Sequence, residues 1–427
     1  MPVRSLAVAA AATLTLAGLA GAAHPAFSPA DLRYARQAVP ANDGWASTGA
    51  GTTGGSKADA AHVTVAHNRA ELVAAVAGDT PKIVFVSGAI DLSVDADNHH
   101  RDCASYADPA YRLDDFLAAY DPAVWGRTAK PSGPLEDARA RSAANQGLTV
   151  KVNVGSNTTI VGINHAHLSH GSLLLAGVSN VIVRNIQFSD AADCFPAWDP
   201  TDGDTGNWNS LYDLVSLTGA TNVWIDHNTF NDGDNPDSDQ PLLFGRPYQV
   251  HDGASDIIKA SDLVTVSWNA YSNHDKTMLI GSTDTVGVDL GKLRVTVHHN
   301  KFDNVLQRAP RVRFGQVDVY DNYYIATSPD YQYSLGVGVQ SAIYAQNNYF
   351  KLGQTPAGNV IHYWKGTAIT ATGTLVEPAK PVDLVAAYNA AHDPDLIPDA
   401  GWTPTARTHV EPAWAVPALV SLLGGSH

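Results

Sequence analysis

The chain has 427 residues, with 27 Lys and Arg against 42 Asp and Glu, for a formal charge of −15. That balance argues against nucleic acid as a partner, because such binding needs basic patches that neutralise phosphates. At 44% hydrophobic and 16% charged residues the composition is that of a folded chain, and two cysteines, Cys103 and Cys194, are too few for a disulfide scaffold.

Residues 1–23 read as a secretory signal peptide. Arg4 precedes an apolar run from Leu6 to Leu19, and the small residues Ala20, Gly21, Ala22 and Ala23 follow. The expected location is therefore secreted and extracellular, where a Cys103–Cys194 bridge is permitted; two separate buried thiols are the alternative. No later run is apolar and long enough to span a bilayer, so no membrane partner is expected. Residues 24–60, rich in Gly, Ala and Thr, are expected to form an extended leader, and residues 61–427 a single domain with its C-terminal tail.

Asn68 and Glu71 resemble a capping box that opens a helix over Leu72, Val73 and Val76. Pro81 and the apolar run Ile83–Val86 predict a strand next. The helix suits an N-terminal cap, since a solenoid must cover its open end.

The middle of the chain is a repeat. Six segments align: SNVIVRNIQF (179–188), TNVWIDHNTF (221–230), DLVTVSWNAY (262–271), LRVTVHHNKF (293–302), GQVDVYDNYY (315–324) and SAIYAQNNYF (341–350). Five carry Asn in the eighth column (Asn228, Asn269, Asn300, Asn322, Asn348), and all six end in Phe or Tyr. Apolar residues alternate before the Asn, which predicts strands. A repeated strand, a polar turn and a packed aromatic suggest one coil of a parallel β-helix. The expected fold class is thus all-β: a solenoid with stacked Asn and stacked apolar columns, rather than an antiparallel sandwich. A bare coil needs about 22 residues in such repeats, so the longer steps, Asp190–Asn222 and Asn228–Asn269, are expected to carry functional loops on one face. Residues 355–427, with many Pro and Ala, are expected to run along the outside.

Asp213 in WNSLYD, and Asp252 and Asp256 in HDGASD, precede strands. Equivalent places on successive coils become neighbours, and clustered carboxylates suit calcium, a hard cation with oxygen ligands; each could equally be a solvated loop acid. TDGDTGN and NDGDNPDSD read first as polar turns, with Asp202 the candidate for a further calcium ligand. Arg308, Arg311 and Arg313 in QRAPRVRFG, with Lys276 about one coil earlier, suggest a site for an anionic ligand within an acidic protein. Salt bridges to Asp303, Asp318 or Asp321 are the alternative. His227, His274, His298 and His299 show no zinc-binding spacing and read as packed or hydrogen-bonded.

WNSLYD, VWIDHNTFNDG, YQVHDGASD, HDKTMLIGSTD, VTVHHNKFDN and QRAPRVRFGQVDVYDNYY closely resemble secreted pectate lyases of polysaccharide lyase family 1, from about Val63 to Phe350. The resemblance implies a right-handed parallel β-helix and calcium-dependent β-elimination of polygalacturonate or low-methyl pectin. It implies Ca2+ ligands at Asp213, Asp252 and Asp256, a catalytic base at Arg308 and substrate-carboxylate binders at Lys276 and Arg313. Leu211 stands where some members carry a further acid, which resembles the subgroup with three aspartates. Calcium, Lys276 and Arg313 are expected to lower the Arg308 pKa by like-charge repulsion. The protein is expected to act as a monomer. Pectin lyase, polygalacturonase and non-catalytic β-helix adhesin are the competing readings, and the retained aspartates separate the first of them.

Overall fold

The computed structural model describes residues 27–407 and 409–427; the expected signal peptide lies outside the described residues. Strands pair in parallel into three long sheets that close a parallel β-helix. The first sheet begins with Val63–Ala66 and Lys82–Asp91 and runs through Thr221–Asp226, Asp262–Ser267 and Val295–His298 to Ile369–Thr372. The second stacks short strands from Gln187–Ser189 to Leu375–Val376. The third stacks Lys151–Asn153, Ser172–Ala176, Val215–Thr218, Ser255–Ile258, Leu279–Ile280, Arg311–Val312, Leu335–Gly338 and Ile361–Trp364.

The repeat sets the register. Val223, Val264, Val295, Val317, Ile343 and Ile369 occupy one position on six successive strands, all of them buried. Inward alternation therefore builds a continuous apolar column. The terminal aromatics form a second column: Phe188, Phe230, Tyr271, Phe302, Tyr324 and Phe350 stack with ring centroids 4.4–5.1 Å apart.

The Asn column is a buried hydrogen-bonded ladder. Each side-chain amide donates to the next carbonyl, from Asn228 to Asn269, Asn300, Asn322 and Asn348, at 3.0–3.1 Å. The left-handed residue at each corner is the one before the Asn: His227, Trp268, His299, Asp321 and Asn347. In the first repeat Ile186 holds the ladder position, and its backbone N–H donates to Asn228 Oδ1 at 3.1 Å, ending the column. Asn300→Ala would leave the Asn269 N–H and amide and the Val266 carbonyl without their partner. Buried unpaired groups cost about 1–3 kcal/mol each, so the variant should lose on the order of 3 kcal/mol or more, read as a lowered denaturation midpoint. A midpoint unchanged within error would show that the ladder is not a stabilising element.

The expected N-terminal helix spans Arg69–Val76; the Asn68 side chain accepts from Glu71 N, and Leu72 and Val76 enter the main core while Val73 stays exposed. The leader differs from expectation. Residues Pro29–Ala35 form a capped helix, and the segment after it adheres in turns to the outer face of the first sheet. The reason is a set of outward threonines: Gly55 N donates to Thr159, Ala46 N to Thr265 and Trp45 N to Thr296, at 2.9–3.1 Å. The C-terminal region also differs in part. Ile361–Trp364, Ile369–Thr372 and Leu375–Val376 continue the coils, and helix Leu384–Asn389 covers the far end with Leu384, Val385 and Tyr388 in the core. Only the chain beyond that helix runs along the outside, pinned by Arg407 on Asp318 and by Gly425 N on the Trp268 carbonyl at 2.8 Å.

Helices Leu113–Tyr120 and Pro134–Val150 were not foreseen from the sequence. With the hairpins Ala197–Asp199/Asn207–Asn209 and Leu242–Leu243/Arg246–Pro247 they enclose a second aromatic core of Phe116, Tyr120, Phe195, Trp198, Trp208 and Tyr248. Both long inter-Asn steps thus pack against one side of the solenoid. Cys103 and Cys194 are bridged, with Cα atoms 5.4 Å apart, and tie the 102–106 turn to this satellite.

Candidate active site

The third sheet carries the site. Asp213 stands two residues ahead of strand Val215–Thr218, and Asp256 lies in the parallel neighbour Ser255–Ile258, opposite Ser216. Both carboxylates are buried. Gly253 N donates to Asp213 Oδ1 at 2.9 Å, and Leu279 N donates to Asp256 Oδ1 at 2.9 Å. Gly253 sits between these two oxygens: a Cβ there would lie 2.3 Å from Asp256 Oδ1 and 2.8 Å from Asp213 Oδ1. Its backbone is not left-handed, so it is the facing carboxylates that require glycine. Asp252 is 31% exposed and turns toward Lys276, Oδ1 to Nζ 3.6 Å. The three aspartates therefore do not close to donor atoms all within 4.8 Å, as other groups in the protein do.

Lys276 bridges in parallel to Gly253 on one side and Gln307 on the other. The HDG, HDK and QRAP segments consequently stack on successive coils. Thr277 N donates to the Gln307 carbonyl at 3.1 Å and Met278 N to the Arg308 carbonyl at 2.6 Å. This register puts Arg308 on the face that carries the acids. Arg308 has left-handed φ of 60°, and its Nε is buried without a hydrogen-bond partner.

Burial pushes the Asp213 carboxyl up to about 7, with the Asp252 charge adding to the rise and Ser216, Gly253 and Arg308 opposing it. Asp256 is raised well above the ordinary range by burial and then by Asp213 and Asp252. In the metal-free chain burial lowers the Arg308 pKa, but the surrounding groups, Asp252 and Asp256 first, outweigh that and hold it above the usual value. The acids, not the cations, dominate its surroundings.

Arg313 does not join the acids. Its Nε donates to Asp284 at 2.7 Å and an Nη to the Gly281 carbonyl at 2.8 Å, while Lys365 holds the other Asp284 oxygen at 2.8 Å. Arg311 lies 3.8 Å above the Trp364 ring, and its pKa is lowered to about 10 by burial and then by Arg313. The alternative partners are engaged elsewhere: Asp318 with Arg407, Asp303 with Lys301, and Asp321 with the Glu411 N–H, which donates to it at 2.7 Å. Asp202 lies in an exposed hairpin turn and accepts from Asn207 at 3.1 Å; among the described residues no contact joins it to the other aspartates.

The NDGDNPDSD segment is more than a polar turn. Asp232 pairs with His274, and His251 lies 3.0 Å from Asp190 and 3.3 Å from Asp237. These acids raise the His251 pKa to about 10 against the opposing effect of burial. His274 Nε2 reaches the Lys276 carbonyl at 3.2 Å, so the cluster braces the backbone beside Asp252 and Lys276. His298 and His299 are buried neutral rings, as packed histidines were expected to be. The sequence reading missed Gly253 and Asp284, although both stand within quoted motifs. A Gly flanked by acids was the available signal for the first; nothing local marked the second.

Comparison with known proteins places this arrangement. The chain matches the family described as "Pectate lyase" over residues 7–107 and 129–395. It is 44% identical to a pectate lyase of Bacillus subtilis (strain 168) over 391 residues, 90% of each chain. It is 36% identical to pectate lyase D of Dickeya chrysanthemi over 382 residues, 86% of each. Among solved structures, a pectate lyase bound to a hexasaccharide superposes with a TM-score of 0.88 at 43% identity, over 92% of this chain and 98% of the other. A pectate lyase studied for substrate specificity and an anti β-elimination mechanism gives a TM-score of 0.88 at 42% identity, with the same coverage. Fold, stacked motifs and identity over nine-tenths of the length agree: the chain belongs to the pectate lyase family and is an enzyme of that family.

Proposed function

We propose that the protein cleaves (1→4)-α-D-galacturonan, as polygalacturonate or low-methyl pectin, by calcium-dependent β-elimination, giving 4,5-unsaturated oligogalacturonides. The observation that carries this reading is the pair of buried carboxylates of Asp213 and Asp256 facing across Gly253, with Asp252, Lys276 and Arg308 on the same stacked coils. Buried, hydrogen-bonded oxygens beside a half-exposed third carboxylate fit Ca2+, which takes oxygen ligands and keeps water. Bound there, calcium would offset the three acidic charges and act as a Lewis acid on the substrate carboxylate.

The chain's own residues supply the rest. Lys276, already 3.6 Å from Asp252, is placed to pair with a uronate carboxylate and reduce its charge, which makes the C5 proton easier to remove. Arg308 takes that proton as the C4–O4 bond breaks and the C4–C5 double bond forms, and the departing O4 picks up a proton from water. Of the two neighbouring arginines, Arg308 responds to Asp252 and Asp256, whereas Arg311 responds to Arg313, Tyr333 and Arg308. A neutral arginine is scarce even at its ordinary pKa, about 10⁻³ to 10⁻⁴ of the residue at pH 9, and Asp252 and Asp256 make it scarcer until calcium offsets their charge. Activity therefore rises toward alkaline pH. Arg313 binds substrate from its Asp284 anchor. Export by residues 1–23 and action as a monomer complete the proposal; among the described residues no helix is long and apolar enough to cross a membrane.

The test is cleavage of polygalacturonate at fixed pH with excess chelator, then with calcium restored. Activity should vanish and return. Full activity in chelator would favour a pectin-lyase reading.

The buried acids also set a pH dependence. Between 3.8 and about 7, Asp213 is protonated in the folded chain and ionised in the unfolded one. The folded state binds more protons there, so its contribution to stability falls as pH rises through that window. Metal-free protein should lose on the order of a few kcal/mol relative to Asp213→Asn between pH 5 and pH 8 in urea unfolding. Parallel pH curves for the two proteins would refute the assignment.

A further inference from the structure

Far along the chain from the third-sheet aspartates, two imidazoles and a carboxylate converge. Asp91 ends strand Lys82–Asp91, and His170 follows strand Thr158–Ser169, whose Ser169 stands beside Asp91 in the parallel register. A tight hairpin from Val94 brings His100 back over them, closed by a Val94–His100 bridge and by Asp95 N to the His99 carbonyl at 2.9 Å. His100 Nδ1 lies 2.7 Å from one Asp91 oxygen and His170 Nδ1 lies 3.0 Å from the other. One ligand atom from each residue falls within 4.8 Å of the other two.

The surroundings hold these groups in place. His170 Nε2 is 3.5 Å from Asp190. Asp190 is itself fixed by His251 at 3.0 Å and by the Asn235 amide at 3.1 Å. Ser93 N donates to Asp91 Oδ1 at 2.8 Å. A ring whose second nitrogen rests on an anchored carboxylate is the usual way a metal-binding histidine is oriented. The His100 side chain is 52% exposed, which leaves an entry path and room for a water ligand.

We propose that Asp91, His100 and His170 form a site for a divalent transition metal of the zinc class. Two imidazoles and one carboxylate suit zinc, whereas calcium requires a shell of hard oxygens. The site is therefore chemically distinct from Asp213, Asp252 and Asp256. Binding replaces any proton shared between imidazole and carboxylate and releases it to solvent. The ion staples the 94–100 hairpin to the adjacent coil, next to the turn that holds Cys103. Its role is stability, since none of its ligands reaches the third sheet. The alternative is that Asp91 serves only as acceptor for two imidazole N–H groups.

The experiment uses full-length protein stripped of metal and held in excess calcium. It is titrated with zinc by calorimetry and with cobalt(II) as a visible-spectrum probe. One zinc per chain and an intense four-coordinate cobalt band are expected, with a zinc-dependent rise in the thermal midpoint. His100→Ala, on an exposed hairpin, should weaken zinc at least about tenfold and lose the cobalt band, with polygalacturonate cleavage unchanged. No zinc binding to the native protein at concentrations on the order of 100 µM, or equal affinity in His100→Ala, would overturn the proposal. The native cobalt spectrum decides the matter even if the variant misfolds: the weak absorption of the hydrated ion would count against it.

Discussion

Arg308→Ala should abolish polygalacturonate cleavage while leaving calcium affinity intact. The side chain lies half-buried on the coil after Lys276, its buried Nε has no partner, and its leading electrostatic neighbours are Asp252 and Asp256. Among the described residues, truncation would break no hydrogen bond or ion pair of the guanidinium. The loss should therefore fall on kcat, by about 10²–10⁴-fold for a missing general base. Arg308→Lys should recover a small part, since an amine can accept a proton but differs in reach and shape. Arg311→Ala is the control: Arg311 has the lower pKa, about 10, but lies over Trp364, and its leading charged neighbours are Arg313, Tyr333 and Arg308. If Arg311→Ala were the inactive variant and Arg308→Ala the active one, the roles of the two arginines would be exchanged.

Gly253→Ala should remove calcium binding without unfolding the protein. The added methyl would enter the 2.3 Å and 2.8 Å gaps to the Asp256 and Asp213 oxygens, and Asp213 also accepts from Gly253 N. The backbone at Gly253 is one that alanine adopts, so strain is not the cause. The carboxylates must part, and calcium affinity should fall by at least about 100-fold, a loss of roughly 3 kcal/mol. Calorimetric titration reads this directly, and the metal-free denaturation midpoint separates it from misfolding. Native calcium affinity in Gly253→Ala would show that the ion does not sit between those oxygens.

The solenoid was legible because its coils repeat a physical need. Asn228, Asn269, Asn300, Asn322 and Asn348 each satisfy buried backbone at the same corner, and Phe188 to Phe350 each fill the same space. Lys276 and Arg308 could be named from their motifs, and the Lys276–Gln307 bridge explains why those motifs lie on successive coils. The leader helix at Pro29–Ala35 and the helices at Leu113–Tyr120 and Pro134–Val150 belong to no repeat, and their packing partners lie far along the chain. The Arg308 environment could not be read either. Sequence spacing brought cations near it, whereas in three dimensions the charges of Asp252 and Asp256 outweigh the lowering effect of burial. The anchoring of Arg313 by Asp284, whose other oxygen is held by Lys365, is likewise a contact between distant segments of the chain.

Elimination rather than hydrolysis is the central claim, and the product decides it. Elimination leaves a C4–C5 double bond conjugated with the uronate carboxylate, which absorbs ultraviolet light; hydrolysis leaves reducing ends alone. On polygalacturonate with calcium, ultraviolet absorbance and reducing ends should rise together, with one unsaturated end per cut. Reducing ends formed without that absorbance would contradict the account.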